Sequence, residues 1–262
     1  MKITVLAENT ACRDDLTCEH GLSLLLETGG RRILFDAGQT DAFARNAAIL
    51  GLDLESVDFA VLSHGHYDHG GGLETFLAIN SHAPVYVSRE AFGQHYNGTE
   101  KYIGLSPSLS ENLRLILVDM AQILAPGITL HPGHTLPCPQ LIQSHGLTLR
   151  KGSHYLPDTF LHEQYLLIEE AGKRILISGC SHRGIENIAT HFQPDVLIGG
   201  FHFMKLDPVT DADALSRSAQ TLLSLPTEYY TGHCTGQSQF AFLKTRMGSR
   251  LQSLSTGSVI EI

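Results

Sequence analysis

Residues 62–71 read LSHGHYDHGG, which places His64, His66, Asp68 and His69 within six positions. Imidazole and carboxylate this dense, between the apolar run Phe59, Ala60, Val61 and Leu62 and the glycines 70–72, suit neither a core nor a solvated loop. The chemistry they fit is metal ligation, since borderline ions such as zinc accept imidazole, carboxylate and thiolate together. His64 and His66 stand at i and i+2 on an extended exit from a strand, so both can point one way. Asp68 and His69 follow a turn and can face a neighbouring position. Two ligand groups from one loop fit two metals about 3.5–4 Å apart.

The same arrangement recurs in the second half. RILISGCSHRGIEN passes from strand to helix through Cys180, Ser181 and His182; VLIGGFHF ends a strand with His202; EYYTGHCTGQ turns at His233 and Cys234. In layered α/β folds the C-terminal ends of strands lie along one rim and carry ligands and catalytic groups. These junctions are therefore expected to converge, with Cys180, His182, His202 and His233 available to complete the shells. Cys180 is either a thiolate ligand or a small buried residue. His182, Arg183 and Gly184 open a helix whose free N–H groups favour an anion, such as a phosphate or carboxylate of a substrate. His202 is expected either to contact substrate or to support a ligand, or else to be a satisfied core histidine.

The elements that must position these residues read as strands and helices in alternation. Ile3–Leu6, Leu22–Leu26 and Arg32–Phe35 are strand-like, the last two around a Gly29–Gly30 turn. A helix runs from a cap at Asp41 to Gly51, a strand covers 58–62, and a helix follows the glycines to about Ile79. Further strands are expected at 84–87, 114–118, 128–131, 165–168, 174–177, 195–198, 228–231 and 258–262, with helices near 184–192, 211–224 and 237–247. Segments 88–113 and 131–160 are irregular, rich in Gly, Pro, Ser and His, and read as pocket loops or as surface insertions. Tyr67, Tyr96, Lys101 and Tyr102 are possible pocket contacts. The absence of a linker makes 1–262 one domain.

The 262 residues carry a formal net charge of −9, are 42% hydrophobic and include fifteen histidines. An acidic balance argues against nucleic acid as a partner, and no apolar stretch is long enough to span a bilayer. No signal-peptide core precedes the first charges, so a cytoplasmic location is expected. Five cysteines without a CxxC exclude a disulfide framework; Cys12 and Cys18 read as ordinary thiols.

SHGHYDH resembles the HxHxDH signature of the metallo-β-lactamase superfamily. Together with VLAENTACRDDLTCEHGLSLLLETGGRRILFDAGQT, GCSHRGIENI, GGFHF and GHCTGQ, it resembles the branch of dihydropterin-ribofuranosyl-aminobenzene-phosphate synthase-like metal-dependent hydrolases. The resemblance covers essentially the whole chain. It implies an αββα sandwich of two mixed sheets flanked by helices, with a dinuclear site at one edge. His64 and His66 would bind the first metal, and Asp68, His69 and His233 the second. Cys180 stands where most members have a bridging aspartate, which leaves one bridging carboxylate missing. The third ligand of the first metal is expected from PDTFLHEQYLLI, as Asp158 or His162, because HPGHT (131–135) lies rather far upstream of Cys180. Two divalent ions are expected, zinc first, with manganese or iron as alternatives.

The expected activity is that of a metal-dependent hydrolase acting on an ester or phosphoester of a small anionic metabolite. Metal-bound water has its pKa lowered to about 7 and becomes a nucleophile. Asp68 would bind metal and orient the nucleophile, His182 would act with it, and Arg183, Gly184 and His202 would hold substrate. A pterin-linked transferase displacing pyrophosphate, or a non-catalytic metal-containing sensor, are the alternatives. No nucleic-acid or membrane partner is expected. The oligomeric state is not legible in the sequence.

Overall fold

The apolar run Phe59–Val61 is an inner strand of a seven-stranded sheet in the computed structural model, which describes residues Met1–Ile262. In spatial order the strands are Val259–Glu261, Lys2–Ala7, Ser23–Thr28, Arg31–Phe35, Phe59–Val61, Val85–Ser88 and Leu115–Val118. The second seven-stranded sheet runs Leu251–Ser253, Glu228–Thr231, Val196–Ile198, Lys173–Ile177, Gln164–Glu170, Ile128–Pro132 and Gln122–Ala125. Each sheet mixes antiparallel hairpins with a parallel block: Arg31–Phe35, Phe59–Val61 and Val85–Ser88 in one, Lys173–Ile177, Val196–Ile198 and Glu228–Thr231 in the other. Inner strands such as Phe59–Val61 and Val196–Ile198 are continuously apolar and buried, as strands covered on both faces must be. Ile3, Val5, Leu24, Leu26, Ile33 and Phe35 meet Leu166, Ile168, Ile175, Ile177, Val196 and Ile198 between the sheets. The alternate residues Leu6, Leu25, Leu34 and Ala60 pack outward against Phe43, Ala47, Leu73 and Phe76 of the helices Ala42–Ile49 and Leu73–Ile79. Helices Ile185–Phe192, Ala212–Leu223 and Gln237–Met247 cover the other sheet through Ile188, Leu215, Leu222 and Leu243. Each of these buried aliphatic side chains contributes about 1.5–3 kcal/mol relative to exposure. The expected αββα sandwich is the observed fold.

The segments read as irregular differ from that expectation. Gln94–Asn97, Lys101–Tyr102, Leu147–Lys151 and His154–Pro157 pair into a four-stranded antiparallel sheet. These strands have at most five residues and mostly polar sequences, so no period-2 apolar pattern is long enough to show. A small apolar cluster of Ile103, Leu147 and Phe160 ties this sheet down beside Tyr67. Strands Gln122–Ala125 and Leu251–Ser253 also lie outside the strands expected from the sequence. Asp41 sits at the start of its helix but makes no cap bond; the Thr40 hydroxyl accepts the Ala42 N–H instead, at 3.1 Å.

Candidate metal centre

The strands Arg31–Phe35, Phe59–Val61, Lys173–Ile177, Val196–Ile198 and Glu228–Thr231 are followed by Asp36, His64, Cys180, His202 and His233, which gather at one rim. Asp36 directly follows the strand end at Phe35, and its carboxylate accepts the Ser63 N–H at 2.6 Å and the Ser63 hydroxyl at 2.7 Å. This pins the exit of Phe59–Val61 against the exit of Arg31–Phe35. The glycine at 65 is required by proximity: a Cβ there would collide with the Ala91 carbonyl. His66 then starts the single turn Tyr67–Gly70, which carries Asp68 and His69.

Hydrogen bonds fix the tautomers. Asp36 accepts from His69 Nδ1 at 2.6 Å, so Nε2 carries the lone pair. Because the Ser63 hydroxyl donates to Asp36, it accepts from His64 Nδ1 at 2.8 Å, which again leaves Nε2 unprotonated. Asn9 Oδ1 accepts from His233 Nδ1 at 3.0 Å with the same result. Two of these bare nitrogens face each other, His69 Nε2 and His233 Nε2 at 3.2 Å, and His69 Nε2 also lies 3.2 Å from Cys180 Sγ. His64 Nε2 lies 3.3 Å from His182 Nε2, and His182 Nδ1 is buried without a partner. The facing lone pairs of His69 and His233 repel unless a cation sits between them. The ligand-capable atoms fall into overlapping sets: His64, His66 and His182; His64, His69 and Cys180; and His20, Asp68 and His233. Imidazole, carboxylate and thiolate at these positions fit divalent metal.

Electrostatics agree with that donor chemistry. Burial lowers the pKa of His64, His66 and His182 well below normal, and neighbouring imidazoles add to the effect. They are therefore neutral donors. Burial also lowers His233 to about 4. For His69, burial opposes the charged ring but Asp36 and Asp68 outweigh it, and its pKa rises. Burial alone would keep Asp68 protonated, yet His69, His20 and His233 hold its pKa well below the ordinary value. Its Oδ2 lies 3.3 Å from both His20 Nε2 and His233 Nε2. Burial pushes the Cys180 thiol well up, and Cys234 adds to this, so its thiolate needs a cation.

His64, His66, Asp68, His69, Cys180 and His233 thus come together as the sequence suggests. Asp158 and His162 do not join His64. They lie behind His66 with His95, their ligand-capable atoms within 4.8 Å of one another, and the third place beside His64 and His66 goes to His182. His162 lies at the start of Gln164–Glu170, and its Nδ1 accepts the Gly65 N–H at 2.9 Å. Its Nε2 is therefore the protonated nitrogen, a donor rather than a ligand. Asp158, buried, accepts from His95 Nδ1 at 2.6 Å and faces His162 Nε2 at 3.6 Å.

The two amides just ahead of the helix N-cap Gly184 are taken by the protein itself. Buried Glu163 accepts the N–H groups of His182 at 2.7 Å and Arg183 at 3.1 Å. The Arg183 guanidinium turns its terminal nitrogens to the carbonyls of Thr159 and Leu136, so its amide and both terminal nitrogens already have partners within the protein. Gly184 lines a hollow beside Ile185 and Glu186 that adjoins the metal cavity through His145, His182 and His202. His202 lines the metal cavity, a space of about 130 Å³ whose walls also include Tyr67, Lys101, His145 and Lys205. Tyr96 and Tyr102 line a different hollow.

Sequence reasoning missed Asp36, His20, His95, Glu163 and the second-half thiol Cys234. Asp36 directly follows an apolar strand, and Cys234 directly follows His233 in the GHCTG junction, the same signal that marked the other residues; His20, His95 and Glu163 carry no local mark.

A two-sheet sandwich flanked by helices, with an imidazole, carboxylate and thiolate cavity at the strand ends, defines an αββα metal-binding protein. The family model of the metallo-beta-lactamase superfamily matches residues 16–233. The chain belongs to that superfamily. An uncharacterized protein of Methanocaldococcus jannaschii, MJ0448, is 31% identical over 89% of this chain and 90% of its own. The 7,8-dihydropterin-6-methyl-4-(beta-D-ribofuranosyl)-aminobenzene-5'-phosphate synthase of the same organism is 26% identical over 100% of this chain and 96% of its own. Among solved structures, Tm1679, described as a metal-dependent hydrolase of the beta-lactamase superfamily, is 28% identical over 100% of this chain and 99% of its own, with a TM-score of 0.85.

Proposed function

We propose that this protein is a metal-dependent hydrolase acting on an ester or phosphoester of a small anionic metabolite. The observation that carries the reading is the cluster of buried imidazoles, three of them with Nε2 preset as the lone-pair nitrogen, around ionised Asp68 at the wall of a small cavity. His64, His66 and His182 would hold one divalent ion, and Asp68, His69 and His233 a second, with Cys180 between them. Bound there, divalent metal supplies Lewis acidity and a nucleophilic water at neutral pH. Asp36, Ser63 and Asn9 keep the ligating nitrogens of His69, His64 and His233 free of protons. His20, half-exposed, touches Asp68 and gives it a proton path to solvent. Lys101 and Lys205, both exposed, flank the cavity and offer positive charge to an anionic substrate on an otherwise acidic protein. His182 serves as a ligand in this reading rather than as an acid, since burial keeps it neutral.

The full-length similarity to the dihydropterin-linked synthase favours a second reading, a transferase that displaces pyrophosphate. Elemental analysis of the untagged protein comes first. About two zinc, manganese or iron ions per chain, mostly lost in His66→Ala, are expected. A panel of esters and phosphoesters, run beside a pyrophosphate-release assay, then separates the two. Turnover of the panel without pyrophosphate release supports the hydrolase. Pyrophosphate release alone supports the transferase. Tight ligand binding without turnover of either would move the protein to the sensor reading.

A further inference from the structure

Three buried donors beside this centre form a set of their own. Cys180, His202 and Cys234 place their ligand-capable atoms within 4.8 Å of one another, and all three line the cavity. Neither ring nitrogen of His202 has a hydrogen-bond partner, though both are buried. Buried polar atoms left so are rare, and an ion is one of the few things that satisfies them. The ring is held in place against His182, with centroids 4.2 Å apart. His202 also has a φ of 54°, the left-handed region that a non-glycine residue adopts at a cost. His233, directly before Cys234, does the same at 48°.

The two loops are built around the sulfur. The Phe201 N–H donates to the Thr235 hydroxyl at 2.9 Å, which locks the GGFHF and GHCTG turns together. A Cβ on Gly200 would occupy the space that Cys234 Sγ fills. Cys234 Sγ donates only to the Cys180 carbonyl, at 3.5 Å. Two sulfurs and one imidazole are a donor set for zinc-like or softer ions and a poor one for magnesium, calcium or manganese.

We propose that Cys180, Cys234 and His202 form a thiolate-rich subsite for a zinc-like divalent ion, with Cys180 shared with the His64 and His69 side. Cys234 is then a metal ligand. Binding forms two metal–sulfur bonds and one metal–nitrogen bond and releases both thiol protons to solvent. The cavity face stays open for a fourth ligand. The proposal rests on the metal-centre reading only through the shared Cys180.

The test is cobalt(II) titration of the reduced, metal-free full chain, comparing wild type with Cys234→Ser, Cys180→Ser and His202→Gln. Thiolate-to-cobalt charge-transfer absorption is expected in the wild type, falling by about half in Cys234→Ser, with the visible bands of the histidine positions retained. Weaker cobalt binding is expected in His202→Gln. An unchanged charge-transfer band in Cys234→Ser, or no such band in the wild type, overturns the subsite while leaving the histidine-based centre standing. Matching melting curves of metal-free Cys234→Ser and wild type establish that the variant folds. X-ray absorption of zinc-loaded protein compares wild type with Cys234→Ser: zinc–sulfur scattering at about 2.3 Å must drop in the variant, since a shared Cys180 alone can supply two zinc–sulfur contacts. Equal scattering overturns the proposal. Two thiolates in a protein that turns over no ester or phosphoester support the subsite and remove the hydrolase reading.

Discussion

At the residue scale, the centre depends on groups that never touch a ligand. Asp36 is buried, and one of its oxygens collects both the Ser63 hydroxyl and His69 Nδ1. Carboxylate–histidine–metal triads of this kind fix both tautomer and ring orientation. In Asp36→Asn the amide NH₂ replaces that oxygen and donates to His69 Nδ1. The proton then moves to Nε2, where it points at Cys180 and His233. Metal affinity should fall by about 10–100-fold with the fold retained, as measured by competition against a chelator. Unchanged affinity would show that the tautomer is set elsewhere. Single residues of this kind are hard to read from sequence. Asp36 looks like any aspartate after a strand, and only Ser63 and His69 arriving beside it give it a role.

At the element scale, the strand exits decide what can meet. The expected strand–small residue–ligand pattern was legible because continuously apolar strands must be covered on both faces, which forces their ends to one rim. The third histidine near His64 and His66 was not legible. His162 and His182 are both plausible by distance along the chain, and the difference lies in register. Gln164–Glu170 runs antiparallel to Lys173–Ile177. His162 therefore reaches the rim from behind His66, while His182 follows the Cys180 turn into the cavity. The glycine at 65 leaves no room for a side chain, because a Cβ there would meet the Ala91 carbonyl. Gly65→Ala should lower stability by about 1–3 kcal/mol through overpacking and also displace His64 and His66. Denaturant unfolding of the metal-free variant measures the first effect and metal stoichiometry the second. A variant as stable as wild type that loads metal normally would mean that the Ala91 loop yields freely.

At the scale of the whole molecule, a cavity of neutral, buried imidazoles makes the metal-free protein sensitive to acid. Burial lowers His162 and His233 to about 4 and His202 to about 3. In the unfolded chain a histidine titrates near pH 6.5. Between those values the unfolded state binds protons that the native state refuses, so stability is full above about pH 6.5 and falls as the pH drops. Each such group contributes a slope of at most about 1.4 kcal/mol per pH unit. His69, with a raised pKa, works in the opposite direction but is outnumbered. The urea midpoint of metal-free protein should therefore be lower at pH 5 than at pH 7, with buried Glu163, whose pKa burial raises, opposing the trend as His69 does. Equal midpoints would contradict the neutral-imidazole picture. Adding zinc at about 1,000 times its dissociation constant should stabilise the fold by about 4 kcal/mol, raising the melting temperature at pH 7. No shift would mean that no native site binds the ion.

The sequence by itself determined the αββα sandwich, the metal chemistry of HGHYDH, and the convergence of the Cys180, His202 and His233 junctions. Apolar runs, glycine-rich exits and donor spacing are local properties, and they survive without knowledge of the pairing. Tertiary structure alone decided that His182 stands beside His64, that Asp158 and His162 stand behind His66, and that Glu163 rather than a ligand occupies the amides of His182 and Arg183. It also brought Cys234 and His202 to Cys180, and formed a sheet from polar segments that look irregular. Each of these depends on strand register and loop packing between residues tens to more than a hundred positions apart. A one-residue change of register turns a side chain to the other face, and no local pattern encodes which face it will take.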